Sequence, residues 1–204
     1  HAHLQRLRDP RASSKDIGQA ADVMISVGGD GTMLGNARQV APYGLPIIGV
    51  NQGHLGFITD IALADVESAL REMLLEKKYT VERRDLFIAQ VVRECEVVFE
   101  GLALNDVVVA RRSVEGMLDL NVQVDGEFMY RQRADSLIIA TTTGSTAYSL
   151  AAGGPILHPQ LAGITLVPVA PQSLSNRPIV LPNTCTLEID IAGKREAAVH
   201  CDSQ

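Results

Sequence analysis

The stretch Val23-Met24-Ile25-Ser26-Val27-Gly28-Gly29-Asp30-Gly31-Thr32 narrows the possible folds of this chain more than any other. Residues 23–27 are a short apolar run bounded by glycine, the pattern of a strand covered on both faces in a parallel sheet. Beyond the glycines, Met33, Leu34, Ala37, Val40 and Ala41 recur at helical spacing, and Tyr43-Gly44-Leu45-Pro46 stops that helix. Residues 47–50 supply a second buried strand. The result is a βαβ unit, whose crossover is right-handed. A second glycine-rich turn, Asn51-Gln52-Gly53-His54-Leu55-Gly56-Phe57, follows that strand. Both turns then lie at the carboxyl ends of adjacent parallel strands, where open α/β sheets take their ligands.

The first turn has a chemistry of its own. Strand, glycine turn and helix start together aim backbone N–H groups and a helix dipole at an anion. Glycine lets the backbone approach that anion closely. Gly28, Gly29, Gly31 and Thr32 are therefore the expected loop for a phosphate donor. A carboxylate at position 30 would repel phosphate oxygens unless it bonded a hydroxyl, took a proton or held a metal. The expected site is thus one of phosphoryl transfer centred on Asp30. The plainer reading of Asp30, an Asx-type turn or a helix N-cap, accounts for the residue but not for the glycines on either side.

The rest of the chain is organised differently. Val66, Ala69, Leu70, Met73 and Leu74 mark an amphipathic helix over residues 64–77, a packing stripe. From Tyr79 onward short, Val-rich segments take over, at residues 86–93, 96–102, 106–110, 120–124, 128–131, 136–140, 164–169 and 186–191. Asp125-Gly126 between two alternating runs is a two-residue hairpin signal. The expected organisation is an α/β domain over residues 1–78 and a mainly β domain over residues 79–204.

Composition bounds the function. A net charge of −6 argues against a general binder of nucleic acid or anionic membrane, because both concentrate Lys and Arg. Cys95, Cys185 and Cys201 are far apart and lack paired spacing, so neither a disulfide framework nor a zinc site is expected, and a reduced, cytoplasmic setting fits. No apolar run approaches the roughly 20 residues that span a bilayer.

A second constellation follows a predicted strand. Arg133-Ala134-Asp135-Ser136 leads into it, and Thr141-Thr142-Thr143-Gly144-Ser145-Thr146-Ala147-Tyr148-Ser149 leaves it. Hydroxyl residues crowd one glycine where a short helix opens, more of them than a helix cap requires. Such a loop can hydrogen-bond a phosphate or ribose and leave room for a base beside Tyr148. Asn105-Asp106 sits in apolar surroundings with poor strand residues, and on its own reads as a turn.

In order, Gly28-Gly29-Asp30-Gly31-Thr32, residues 51–60 (NQGHLGFITD), Asn105-Asp106 and residues 143–155 (TGSTAYSLAAGGP) resemble the NAD kinases of bacterial type. The first motif alone is shared with diacylglycerol and sphingosine kinases; the second and fourth are more specific. The resemblance runs from about Ala20 to Gln204. It implies a Rossmann-like N-terminal nucleotide domain and a mainly β C-terminal domain. The family has a further N-terminal strand and helix and a further C-terminal stretch, expected to be missing here.

The implied reaction moves a phosphoryl group from ATP or polyphosphate to the 2′-hydroxyl of the adenosine ribose of NAD, giving NADP, with a divalent metal such as Mg²⁺. By resemblance Asp30 is the proton acceptor, with Gly31 beside it. Asn105 and Asp106 hold NAD hydroxyls or base, although the family's acid is Glu and Asp106 is one methylene shorter. Phe57, Asp135, Thr143, Thr146, Ala147, Tyr148, Ser149 and Gln204 join the NAD pocket. Arg133 lies close to the phosphates or to a neighbouring subunit. The family's members are homo-oligomers, dimers or tetramers. Two competing readings remain at this level, a lipid kinase of the diacylglycerol or sphingosine type and a catalytically silent NAD(P)-binding module. Neither of these would form NADP.

Overall fold

The computed structural model describes residues 13–53, 56, 58–173, 175–193 and 195–203; Phe57 and Gln204 of the expected site lie outside them. The chain divides into two compact units between Arg83 and Arg84, a few residues past the expected boundary.

In the N-terminal unit, helix α1 (Ser14–Ala20) opens on a capping box: the Ser13 hydroxyl accepts from the Asp16 N–H while the Asp16 carboxylate accepts from the Ser13 N–H. Strand β1 (Met24–Gly28), helix α2 (Asp30–Val40) and strand β2 (Ile47–Asn51) form the expected βαβ unit, but β1 is not covered on both faces as its apolar run suggested: Ile25 and Val27 are exposed while Ser26 faces α2. β1 and β2 pair in parallel, with Gly28 opposite Asn51. α2 turns Met33, Ala37 and Val40 inward. It is tied to β1 where Asn36 Nδ2 donates to Ser26 Oγ at 2.8 Å. After a 3-10 turn at Ala41–Tyr43, Gly44 takes φ 64, a left-handed conformation that stops the helix. A two-residue strand, β3 (Ile61–Ala62), adds in parallel to β2. Helix α3 (Val66–Leu74) follows.

The C-terminal unit is β-rich. Its strands are β4 (Phe87–Arg93), β5 (Glu96–Ala103), β6 (Asp106–Arg111), β7 (Leu118–Val124), β8 (Glu127–Ala134), β9 (Ser136–Ala140), β10 (Gly163–Val169), β11 (Ile179–Pro182), β12 (Leu187–Ala192) and β13 (Ala197–Cys201). A short helix, α4 (Tyr148–Ala151), follows a 3-10 turn at Gly144–Thr146. β11-β10-β9-β6-β13 make a five-stranded sheet, β12-β7-β8 a three-stranded one, and β4-β5 a separate hairpin. The Asp125-Gly126 turn joins β7 to β8, with φ 53 and 82, the two positive values a two-residue hairpin turn requires.

The core explains why β9 is apolar throughout. On one side Leu137 and Ile139 pack with Val109, Ile164, Leu166 and the inward row Leu118, Leu120 and Val122 of β7. On the other, Ile138 and Ala140 meet Val108 and Val167, with Ala152 against them. Each fully buried leucine here contributes about 1.5–3 kcal/mol of apolar burial.

Candidate functional site

Asp30 is the first residue of α2, and Gly29, which has no side chain, is the N-cap. The carboxylate therefore does not cap its own helix. It turns onto the loop after β2, where Oδ1 accepts from the Ile58 N–H at 3.3 Å and from the Thr59 hydroxyl at 3.0 Å. A negative charge in the first turn is favoured by the helix dipole.

The glycines divide their tasks. A Cβ on Gly28 would lie 2.5 Å from Thr32 Oγ1, so the Thr32 side chain folds back over that glycine. A Cβ on Gly29 or Gly31 would meet nothing within 4 Å. The turn is thus closed at Gly28 and open along Gly29 and Gly31, where α2 presents N–H groups with no partner inside the helix. Gly56 faces the other way: a Cβ there would be driven into the Asp30 carboxyl group.

In the C-terminal unit three strand ends converge. β6 and β9 run antiparallel with Asp106 opposite Ala140, and β13 places Cys201 opposite Val107. Asp202, just beyond β13, accepts from the N–H groups of Leu104 at 3.0 Å, Asn105 at 2.7 Å and Asp106 at 3.2 Å. Thr141, just beyond β9, donates its hydroxyl to the Leu104 carbonyl at 2.6 Å and accepts from the Gly144 N–H at 3.1 Å. A Cβ on Gly144 would overlap the Asn105 carbonyl, so only glycine lets the two loops lie this close.

The turn read at Asn105-Asp106 is confined to its first residue, and the strand expected from residue 106 begins there. Leu104 and Asn105 form a bend, but Asp106 begins a central strand and is only 3% exposed. Its Oδ1 has no hydrogen-bond partner among the described residues. Burial, and then the Asp202 charge, raise its pKa from the ordinary 3.8 to about 6.

Within this unit the structure brings Asn105, Asp106 and the Thr143–Thr146 turn together. Thr143 is buried and accepts from Arg84 at 3.3 Å, and Thr146 donates to the Thr143 carbonyl. Ala147 and Tyr148 follow, with Tyr148 43% exposed. Ser149 is fully buried, its hydroxyl 3.4 Å from that of Thr165. Asp135, just before β9, lies five residues and roughly 16 Å along the strand from Ala140, the residue opposite Asp106, while Arg133 sits near the end of β8. There Asp135 pairs with Arg111 at 2.9 Å, and Arg133 stands 3.7 Å from Asp119. Sequence reasoning did not single out Asn51, Gly56, Thr59 or Asp202. The first three sit inside the quoted 51–60 stretch, whose polar ends were the available signal.

A family model described as the ATP-NAD kinase N-terminal domain matches residues 7–79, and one described as the ATP-NAD kinase C-terminal domain matches residues 104–204. The NAD kinase of Cupriavidus pinatubonensis and that of Burkholderia cenocepacia are each 55% identical over 195 residues, 96% of this chain. The chain spans 64% and 65% of their respective lengths. Among solved structures, a yeast NADH kinase complexed with NADH superposes with a TM-score of 0.86 at 30% identity, covering 94% of this chain and 56% of that one. An Archaeoglobus fulgidus NAD kinase in complex with ATP superposes with a TM-score of 0.78 at 30% identity, covering 100% of this chain and 78% of that one.

Proposed function

The chain belongs to the ATP-NAD kinase family, and on that premise we propose that it phosphorylates the 2′-hydroxyl of the adenosine ribose of NAD, with ATP as donor and NADP as product. The observation that carries the reading is Asp30, a carboxylate held by two donors at the mouth of a helix whose flanking glycines leave open space. In the proposed step the ribose oxygen bonds to the γ-phosphorus and its proton passes to Asp30. The bond from the γ-phosphorus to the bridging oxygen breaks, releasing ADP. Catalysis of this kind is mostly positioning and neutralisation of phosphate charge. The N–H groups at the start of α2 supply part of the second.

Among the described residues no three of His, Cys, Asp and Glu gather as a metal cage. A divalent ion such as Mg²⁺ would arrive on the triphosphate as part of the donor and would neutralise phosphate charge there. Acceptor binding is assigned to Asn105, Asp106, Thr143, Thr146, Ala147 and Tyr148, which share one end of the central strands. Asp135, at the far end of β9, and Arg133, near the end of β8, lie away from Asn105-Asp106, which favours a contact with the acceptor of a neighbouring subunit. That reading makes the protein a homo-oligomer. It is supported by the β4-β5 hairpin, whose exposed apolar residues Ile88, Val92, Val97, Val98 and Phe99 are distributed over its two faces and offer surface that copies can bury against each other. The three free cysteines fit a cytoplasmic setting. Among the described residues no helix is long and apolar enough to cross a membrane.

The test is Asp30→Asn. NAD binding, read by calorimetry, is retained, while NADP formation from ATP falls by about 10²–10⁴-fold, the usual worth of a general base. Near-normal turnover in that variant refutes the assignment.

A further inference from the structure

We propose that Thr59 is a positioning residue for Asp30, and that Asn51 sets the direction in which the Thr59 hydroxyl donates. The inference rests on the reading of Asp30 as proton acceptor and adds the residues that aim it.

The geometry is a chain of hydrogen bonds with one polarity. The Gly53 N–H donates to Asn51 Oδ1 at 2.7 Å, which fixes which end of that amide is oxygen. Asn51 Nδ2 is then turned to Thr59, donating to its hydroxyl oxygen at 3.0 Å and to its carbonyl at 3.4 Å. A hydroxyl has a single proton. With the amide donating to its lone pair, Thr59 directs that proton to Asp30 Oδ1 at 3.0 Å. The Ile58 N–H reaches the same oxygen at 3.3 Å. Two donors on one oxygen fix the plane of the carboxylate, and with it the direction of the second oxygen. Reversing the Asn51 amide would set its oxygen against Thr59 and its NH₂ against the Gly53 N–H. The polarity is therefore imposed by the backbone turn and passed on to Asp30.

Sterics close the arrangement from two sides. A side chain at position 56 would push the Asp30 carboxyl group off its place. A Cβ on Gly49 would lie 3.0 Å from the Ile58 carbonyl oxygen and 3.1 Å from Thr59 Cγ2, so glycine in β2 is what lets the returning segment lie this close. Asn51 and Thr59 are both buried, 4% and 1% exposed, so solvent does not compete for these bonds. A threonine needed only for packing would have no reason to spend its one proton on a carboxylate at the helix start.

The experiment uses the protein purified whole, with steady-state NADP formation as the readout. Thr59→Val keeps the branched shape and removes the hydroxyl. Its kcat falls roughly 10- to 100-fold, the scale of a misplaced reacting group, with KM for NAD little changed. Thr59→Ser, which restores the hydroxyl, restores kcat. Gly56→Ala keeps every donor but displaces the carboxylate, and it lowers kcat as well. In an Asp30→Asn background, Thr59→Val has no further effect on the residual rate. The inference is overturned if Thr59→Val turns over like the parent, if its loss lies in KM, or if it slows the Asp30→Asn protein by the same factor. Should Thr59→Val fail to fold, normal kcat in Gly56→Ala or lost kcat in Thr59→Ser overturns it. Near-normal turnover in Asp30→Asn alone refutes the proton-acceptor reading and leaves a distinct pattern, because Thr59→Val is then judged without it.

Discussion

Replacing Asp106 by Asn is expected to stabilise the protein at alkaline pH and to do so in a pH-dependent way. Asp106 is almost wholly enclosed at the head of β6, and its Oδ1 lacks a partner among the described residues. Burial first, and the charge of Asp202 second, displace its pKa from 3.8 to about 6. At about 1.4 kcal/mol per pH unit this corresponds to about 3 kcal/mol. The sign follows from proton counting. Between those two values the folded protein keeps the Asp106 proton and the unfolded chain has lost it, so stability falls as pH rises. Above pH 6 the folded state carries the whole cost; below 3.8 both states are protonated and the cost vanishes. Asn cannot ionise, so Asp106→Asn escapes it. The gain at pH 8 is up to about 3 kcal/mol, or roughly 6–12 °C in Tm for a chain of this size. The chain has no Trp, so urea unfolding of the C-terminal unit is followed by far-ultraviolet circular dichroism at pH 8 and at pH 4. A variant less stable than the parent at pH 8, or one whose difference is the same at both pH values, refutes the reasoning.

Two further substitutions probe the same unit. Gly144→Ala forces a Cβ onto the Asn105 carbonyl. It should cost about 1–3 kcal/mol as an overpacking change and weaken NAD binding by calorimetry, because the Asn105 bend must move. Arg111→Met breaks the 2.9 Å pair with Asp135, both side chains about 30% exposed. Its effect on stability should stay small, within about 1 kcal/mol, as for a pair open to solvent.

What was legible in the sequence was local. The βαβ unit could be read because a glycine turn, a helical stripe and Gly44 each act within a few residues. The same holds for the Asp125-Gly126 hairpin and for the apolar run of β9. Strands β3, β11 and β13 were not read. β3 has two residues and no alternation to show. β11 ends in Pro182, and β13 reads Ala197-Ala198-Val199-His200-Cys201, weak in strand formers. β11 and β13 are strands because β10 and β6 offer them an edge to pair with. What holds Asn105-Asp106 at the head of β6 was not legible for a related reason. Its N–H groups are satisfied by Asp202, 97 residues from Asn105, so a pair with poor local propensity still opens a strand.

The candidate site divides along the same line. Asp30 could be picked out because a carboxylate in a glycine turn contradicts the turn's own chemistry. Its partners could not, since Thr59 lies 29 residues on and nothing in a threonine announces a carboxylate as its acceptor. The two carboxylates now differ in a way that can be measured. Asp30 Oδ1 has two donors, bonds that are stronger to a charged acceptor than to an amide oxygen. Neutralising it weakens both, so Asp30→Asn should lose stability as well as turnover. Asp106 has an oxygen without a donor and a neighbouring negative charge, so neutralising it should raise stability while weakening NAD binding. A buried acceptor kept unpaired at a cost in stability is what a site reserved for a ligand's hydroxyl or amine would retain. If both substitutions move stability in the same direction, that distinction between a pre-satisfied base and a carboxylate waiting for its ligand is wrong.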